Sequence, residues 1–113
     1  MTEKNVLIKS WADPITGACP VAEILRTLGG KHGPRILHCL TEGELHFLEL
    51  TRAIDGISRK VLTDQLKDFE EQGLILRSPK NDARQRVGYS LTAKGDALCG
   101  VFGQLYDWNQ YYR

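Results

Sequence analysis

Four polar side chains share one face of a helix that the sequence predicts over residues 58 to 72. At 100° per residue, Lys60, Thr63, Asp64 and Lys67 lie opposite an apolar face. Lysine can donate to guanine O6 or N7, threonine can contact a thymine methyl, and aspartate can accept from cytosine N4. Because Asp64 would also repel phosphate, exclusion of wrong sequences is a second role open to it. The spacing therefore has the chemistry to read base edges in the major groove of DNA.

A turn and a cap define where this helix begins. Gly56 tolerates a positive φ, and the Ser58 hydroxyl can accept from a backbone N–H of the first helical turn. We assign Ser58 and Arg59 to DNA phosphates, since the helix dipole favours anions at this end. The apolar face is predicted to be core. It consists of Leu62, Gln65, Leu66 and Phe69.

A charged hairpin follows the helix. Gly73 is a typical helix stop, and residues 74 to 77 and 86 to 91 have the composition of strands. Residues 79 to 85 between them are too polar to pack. We interpret residues 74 to 91 as a wing whose basic side chains contact flanking phosphates or a minor groove, which sets register more than sequence. These side chains are Lys80 and Arg84, both predicted at the tip, and Arg86.

Composition limits the classes of function. A chain of 113 residues with 42% hydrophobic content suits one domain over residues 1 to 113 with its own core. A net charge of +1 excludes a histone-like polycation, so DNA contacts must come from local patches. Residues 56 to 90 form such a patch, with seven Lys or Arg against five Asp or Glu. No membrane span or signal peptide is visible, so we expect a cytoplasmic protein.

The remaining residues predict further helices around this unit. Apolar residues recur at helical spacing over residues 19 to 30, and a short second helix follows. The helix-turn-helix itself spans residues 47 to 72, and a last helix spans residues 92 to 113. Residues 1 to 18 show little periodicity and are expected to form an arm. The predicted fold is mainly α with a small β-hairpin, a winged helix-turn-helix with flanking dimerisation helices.

The C-terminal helix carries a long apolar stripe. Helices outside a compact three-helix core have little else to bury, so we expect this helix, with the first, to form a two-fold homodimer. The alternative is that the stripe only covers the domain's own core. The expected interface residues are Leu98, Val101, Phe102, Leu105, Trp108 and Tyr112.

The three cysteines fit neither a disulfide framework nor a paired zinc motif. Cys19 precedes Pro20 where the first helix begins, and unpaired backbone N–H groups there can stabilise a thiolate. A purely structural cysteine that starts the helix is the alternative. Cys39 and Cys99 lie in apolar helical segments and are expected in the core.

Neither a metal site nor catalytic machinery is indicated. The spacing of His32, His38 and His46 matches no ligand motif, and these histidines are expected to be structural. No nucleophile has an orienting base and a substrate cleft beside it. We therefore predict no cofactor, no metal and no enzymatic activity.

Three stretches of the chain resemble the HxlR-type transcriptional regulators, and they cover about half of it. They are GACPVAEILRTLGGKHGPRIL (17 to 37), GISRKVLTDQLKDFEEQGLILR (56 to 77) and RVGYSLTAKGDAL (86 to 98). The resemblance implies a homodimeric bacterial winged-helix regulator, related in architecture to the MarR group. It also implies Cys19 as a candidate redox sensor, because similar regulators use a cysteine at the matching Cys-Pro. One departure is His32, where the family pattern usually has Trp.

We therefore predict a sequence-specific DNA-binding regulator of transcription. It would act as a homodimeric repressor on an inverted repeat of double-stranded DNA, with half-sites about 34 to 36 Å apart or a multiple of that. One alternative is a winged helix used for protein association without DNA. Another keeps DNA binding but replaces thiol sensing by a small-molecule effector between the core and the dimer helices. No residue pattern identifies the effector.

Overall fold

The computed structural model describes residues 15–28, 30–81, 83–84 and 86–113. Most of the predicted arm, residues 1–14, lies outside the described residues. Within them the chain forms five helices and three short strands. The helices are α1 (Pro20–Thr27), α2 (Gly33–Cys39), α3 (Phe47–Ala53), α4 (Arg59–Glu71) and α5 (Ala93–Tyr111), and the strands are β1 (Leu45–His46), β2 (Ile75–Pro79) and β3 (Val87–Leu91). The predicted class, mainly α with a small antiparallel β element, is confirmed.

The core lies where α2, α3 and α4 meet the sheet. Helix α4 contributes the face that the sequence predicted, including the fully buried Leu62 and Phe69. Gln65 on this face is buried as well, and its Nε2 donates to the Thr27 carbonyl at 3.1 Å, which ties α4 to the end of α1. The buried hydrophobic residues are Leu28, Ile36, Leu37, Leu40, Leu50, Ile54, Leu62, Leu66, Phe69, Leu74 and Ile75.

The sheet has three antiparallel strands in the order β1-β3-β2. The predicted hairpin is present, with Ile75 opposite Leu91 at one end and Pro79 opposite Val87 at the other. The added strand β1 was not predicted, because two residues are too few to show the period-two alternation of a strand. It pairs only through Leu45 with Tyr89 and His46 with Gly88.

The loop of the wing begins later in the chain than the sequence indicated. Strand β2 continues to Pro79, and the Lys80 N–H donates to the Arg86 carbonyl at 2.7 Å. Lys80 therefore lies at the base of the loop, and its predicted place at the tip was wrong. The backbone pairing decides this, since a residue bonded across the hairpin continues the ladder.

Helix α1 ends at Thr27 and is shorter than the predicted span of residues 19 to 30. The two glycines after Leu28 favour this early end, because glycine is a poor helix former. No α1 side chain is buried, and Val21, Ile24 and Leu25 are 42%, 47% and 59% exposed. The apolar stripe of α1 thus faces away from the core of its own chain.

Helix α5 begins in contact with the end of α4. The Thr92 hydroxyl donates to the Gly73 carbonyl at 2.6 Å and accepts from the Gly95 N–H at 3.0 Å. A Cβ at position 95 would overlap the Leu74 carbonyl oxygen, so the close approach of these two segments requires glycine there. The junction fixes where α5 leaves the winged-helix unit.

Two glycines of α5 offer a matched test of this junction. We expect Gly95→Ala to lower the free energy of unfolding by about 1 to 3 kcal/mol, because the new methyl group displaces the Leu74 backbone. Gly100→Ala should instead raise it by up to about 1 kcal/mol, since a Cβ there meets nothing within 4 Å and alanine favours helix. Urea denaturation of both variants measures the difference. Equal effects would contradict the close packing at Gly95.

Candidate nucleic-acid interface

Helix α4 presents one polar face to solvent. Ser58 is its N-cap, and the Ser58 Oγ accepts from the Val61 N–H at 3.0 Å, which confirms the predicted cap. The turn before it uses Gly56 at φ +81°, as the sequence indicated. The exposed side chains of the face include every residue predicted on α4: Arg59, Lys60, Thr63, Asp64 and Lys67.

Lys60 and Asp64 are paired on this face. The Lys60 Nζ lies 3.0 Å from the Asp64 Oδ2, and the side chains are 83% and 61% exposed. A pair this exposed adds little to stability, about 0.3 to 0.5 kcal/mol for this helical spacing. The pair matters more for the charge of this surface than for the stability of the helix. The carboxylate offsets the lysine charge, so one donor and one acceptor are presented side by side.

The first helix of the helix-turn-helix begins at a cap of its own. The Glu49 Oε1 accepts from the His46 N–H at 2.8 Å and lies 2.8 Å from the His46 Nδ1. The backbone hydrogen bond from His46, followed by the contact with its side chain, lowers the pKa of the Glu49 carboxyl. Glu49 is therefore ionised at neutral pH. His46 has a structural role, as predicted, because it forms the N-cap of α3 together with Glu49.

A cleft of about 320 Å³ lies between the start of α3 and the wing. Its wall includes Arg52 of α3 together with Arg84 and Arg86 of the wing. The Arg59 guanidinium lies 5.5 Å from the centre of the Phe47 ring, which also lines the cleft, so the start of α4 borders this cationic region. The Glu49 carboxylate lines the same cleft, so its wall carries three guanidinium groups against one acid. The positive excess suits a phosphate, which arginine can bind through two N–H groups.

Arg52 was absent from the sequence-based prediction. That prediction used only the second helix and the wing, whereas Arg52 lies on the exposed side of α3, opposite the buried Leu50. A basic residue on the polar side of the first helix of the motif was the available signal. Arg52 lies near the wing because Leu45 and His46 pair with strand β3, and the sequence did not reveal this pairing.

Lys80 does not line the cleft and forms an ion pair with Glu44. The Lys80 Nζ lies 2.7 Å from the Glu44 Oε2, with side chains 39% and 33% exposed. Of the nine residues predicted to contact DNA, the structure thus places six at or on α4, two in the cleft and Lys80 beside an acid.

The cysteines differ in their surroundings. Cys19 is the N-cap residue of α1 and is half-buried. Cys39 and Cys99 are half-buried and pack against the core, and burial raises the pKa of both thiols. Their thiol forms are favoured, which makes them weak nucleophiles at neutral pH.

The apolar stripe of α5 divides into two parts. Leu98 and Phe102 pack against the core of their own chain. Leu105 and Trp108 are 55% and 62% exposed, and the rings of Tyr111 and Tyr112 add to the same end of the helix. The first two residues therefore cover the core of their own chain, and the others leave an apolar surface open to solvent. Val101 and Tyr112, 49% and 68% exposed, belong to the open part.

Among the described residues, α5 borders one groove with α1 and another with α2. One, of about 310 Å³, lies between α1 and α5 and includes Ile24, Leu98 and Val101 in its wall. The other, of about 580 Å³, lies between α2 and α5. Its wall includes Arg35, His38, Cys99, Phe102 and Tyr106.

Comparison with known proteins places the chain in a family. The sequence pattern of the HxlR-like helix-turn-helix family matches residues 27–113. The chain belongs to the HxlR family. A regulatory protein named MalR, from Fusobacterium mortiferum, is 38% identical over 93 residues, covering 81% of this chain and 88% of MalR.

Solved structures of regulators share the fold of this chain. A transcriptional regulator of the MarR family from Enterococcus faecalis V583 superposes with a TM-score of 0.77 at 35% identity, covering 89% of each chain. The redox regulator HypR in its oxidized form superposes with a TM-score of 0.74 at 30% identity, covering 84% of this chain and 98% of HypR. The fold and the class of protein, a regulator of transcription with a helix-turn-helix, are thereby shown.

Among residues 15–28, 30–81, 83–84 and 86–113, no group of three His, Cys, Asp or Glu side chains is placed to hold a metal ion. Across the same residues, every helix is too short or too polar to cross a bilayer.

Proposed function

We propose that this HxlR-family protein binds operator DNA as a homodimer and represses transcription. The observation that carries the proposal is the exposed polar face of α4, capped by Ser58 and bordered by a cleft with three arginines. A helix of this kind fits the major groove, and cationic side chains beside it suit the phosphates that flank the groove. Binding to genomic DNA places the protein in the cytoplasm of a bacterial cell.

The contacts divide into reading and positioning. Lys60, Thr63, Asp64 and Lys67 face outward on α4 and supply donors, an acceptor and a methyl group for base edges. Arg59 at the amino end of α4 is the phosphate contact next to them. The arginine cleft would hold the backbone where it passes from the major groove to the wing. Its members are Arg52, Arg84 and Arg86.

A second copy of the chain accounts for the apolar surface of α1 and α5. Monomers rarely expose large apolar patches, and here Leu25, Leu105 and Trp108 are each more than half exposed. A two-fold axis beside α5 would let each chain cover the open part of the other's stripe. Two α4 helices related by that axis read an inverted repeat, and a dimer seated on a promoter blocks access to it.

Thiol oxidation is the input we propose for switching. HypR, which is similar over most of its length, is a redox regulator by name. Cys19 is the N-cap residue of α1, and the exposed apolar face of this helix belongs to the proposed interface. A chemical change at Cys19 would therefore alter how the two chains pack. A small-molecule effector in the groove between α2 and α5 is the second candidate, favoured by its mixture of aromatic rings with Arg35.

Charge reversal on α4 tests the DNA proposal. We expect Lys60→Glu combined with Lys67→Glu to weaken binding to DNA from upstream of the protein's own gene by on the order of 100-fold or more, because cations near phosphate become anions. Replacing Arg113 by Glu at the far end of α5 should leave the affinity nearly unchanged. Fluorescence anisotropy measures both. Retained affinity in a folded double variant would favour the protein-association module instead.

The proposed dimer is tested by placing a charge on α5. Leu105→Glu should halve the molar mass in solution, because a carboxylate cannot be buried unpaired in an apolar interface. Leu76→Glu is a matched control, since Leu76 is 56% and Leu105 55% exposed. Sedimentation equilibrium gives the masses. A parent protein with the mass of a single chain would sink the proposal.

The redox input is tested with diamide in the presence of glutathione: the Cys19 thiol and the glutathione thiol join in a mixed disulfide, and diamide takes up the two electrons and two protons that they lose. We expect diamide to lower the affinity of the parent protein for DNA, but not that of Cys19→Ser. The Cys39→Ser and Cys99→Ser variants should still respond, since the pKa of both thiols is raised. A Cys19→Ser variant that responds like the parent would reject the sensor role and favour the small-molecule effector.

A further inference from the structure

The ion pair of Glu44 and Lys80 spans the whole width of the sheet. Glu44 directly precedes β1 and Lys80 directly follows β2, and these two strands are the outer ones. Neighbouring strands lie about 4.8 Å apart, so the outer strands are separated by about 10 Å. The two side chains nevertheless meet, with the Lys80 Nζ 2.7 Å from the Glu44 Oε2.

A glycine in the middle strand leaves room for the two side chains to meet. Gly88 of β3 pairs with His46 on one side and with Ser78 on the other. A Cβ at position 88 would overlap the carboxylate of Glu44, so the Glu44 side chain lies directly across Gly88. Any other residue in this place would block the path between the outer strands. The burial of Gly88 within such a small sheet is consistent with this cover.

The pair acts on the base of the wing loop. The Lys80 N–H donates to the Arg86 carbonyl at 2.7 Å, which closes the loop that contains Arg84. Glu44 therefore holds the residue from which the loop departs, while β1 leads directly into α3 and Arg52. The pair connects the wing with the first helix of the motif on the face opposite to the hydrophobic contacts of Ile75.

We propose that Glu44 is a positioning residue for the wing: its carboxylate crosses Gly88, holds Lys80, and so fixes the wing arginines relative to α3. This inference rests on the proposed function as far as DNA is concerned. It assigns Lys80 to Glu44 rather than to phosphate. The negative charge of Glu44, taken alone, would repel DNA and weaken binding. By positioning the wing, the same residue strengthens binding.

This opposition of sign makes the test decisive. Glu44→Gln removes a negative charge, which by electrostatics alone strengthens DNA binding. If Glu44 positions the wing, the same variant weakens binding to the upstream duplex by about 3- to 10-fold, since wing contacts with phosphate become less favourable. Gly88→Ala breaks the contact while both charges remain, and should weaken binding to a similar degree. Glu42→Gln removes the same charge from a nearby exposed turn, and should leave the affinity unchanged or slightly higher.

A second readout does not involve DNA. We expect Glu44→Gln and Gly88→Ala to speed hydrogen exchange of the Lys80 amide by about ten-fold, with the amides of α4 unchanged. Exchange at the parent rate in Glu44→Gln, or tighter DNA binding by that variant, would overturn the inference. If the parent protein binds no DNA, the proposed function fails, while the exchange of the Lys80 amide still decides whether Glu44 positions the wing. Loss of α4 protection in Gly88→Ala would show misfolding, and Glu44→Gln then decides alone.

Discussion

The burial of one face of α4 is the interaction on which the rest of the structure depends. Leu62 and Phe69 have no accessible surface, and a side chain of this size contributes about 1.5 to 3 kcal/mol when it is fully buried. Because these residues fix the rotation of α4 about its axis, they also determine which side chains point away from the core. The polar face exists in its observed form because the helix cannot turn without exposing this apolar surface.

Two short junctions carry the orientation of α4 to the rest of the molecule. At its end, Thr92 bonds the start of α5 to the Gly73 carbonyl, and Gly95 lets the two segments approach closely. Near its middle, Gln65 bonds the end of α1 through the Thr27 carbonyl. The apolar surfaces of α1 and α5 are thus connected to the helix that we propose to face DNA. Through these junctions, a rearrangement between two chains would change the spacing of their α4 helices.

Local signals made α4 and its surroundings predictable from the sequence. Three signals lie within about fifteen residues of one another: a positive-φ glycine, a serine cap and a clear separation of apolar from polar positions. The course of the wing was harder, since strand β1 has only two residues and its partners lie more than forty positions away. The partner of Lys80 was hidden for the same reason, because nothing near Lys80 in sequence points to Glu44.

The two parts of the α5 stripe show a different limit of sequence patterns. Periodicity identifies apolar residues that share a face, but it does not say how far along the helix the core extends. In the structure Phe102 is the last residue of α5 that packs against the core, while Val101 and the large apolar residues from Leu105 onward are exposed. Arg52 was missed because its relation to the wing depends on tertiary pairing rather than on spacing.

In the proposed complex, α4 reads the bases of the DNA and the arginine cleft holds its phosphate backbone. The most direct test is fluorescence anisotropy of the reduced protein with a duplex from upstream of its own gene and with a scrambled duplex, across a salt series. We expect tighter binding to the upstream duplex, and a log-log slope of about −5 against salt if about six phosphates are neutralised. Absence of binding to either duplex at low salt would contradict the claim.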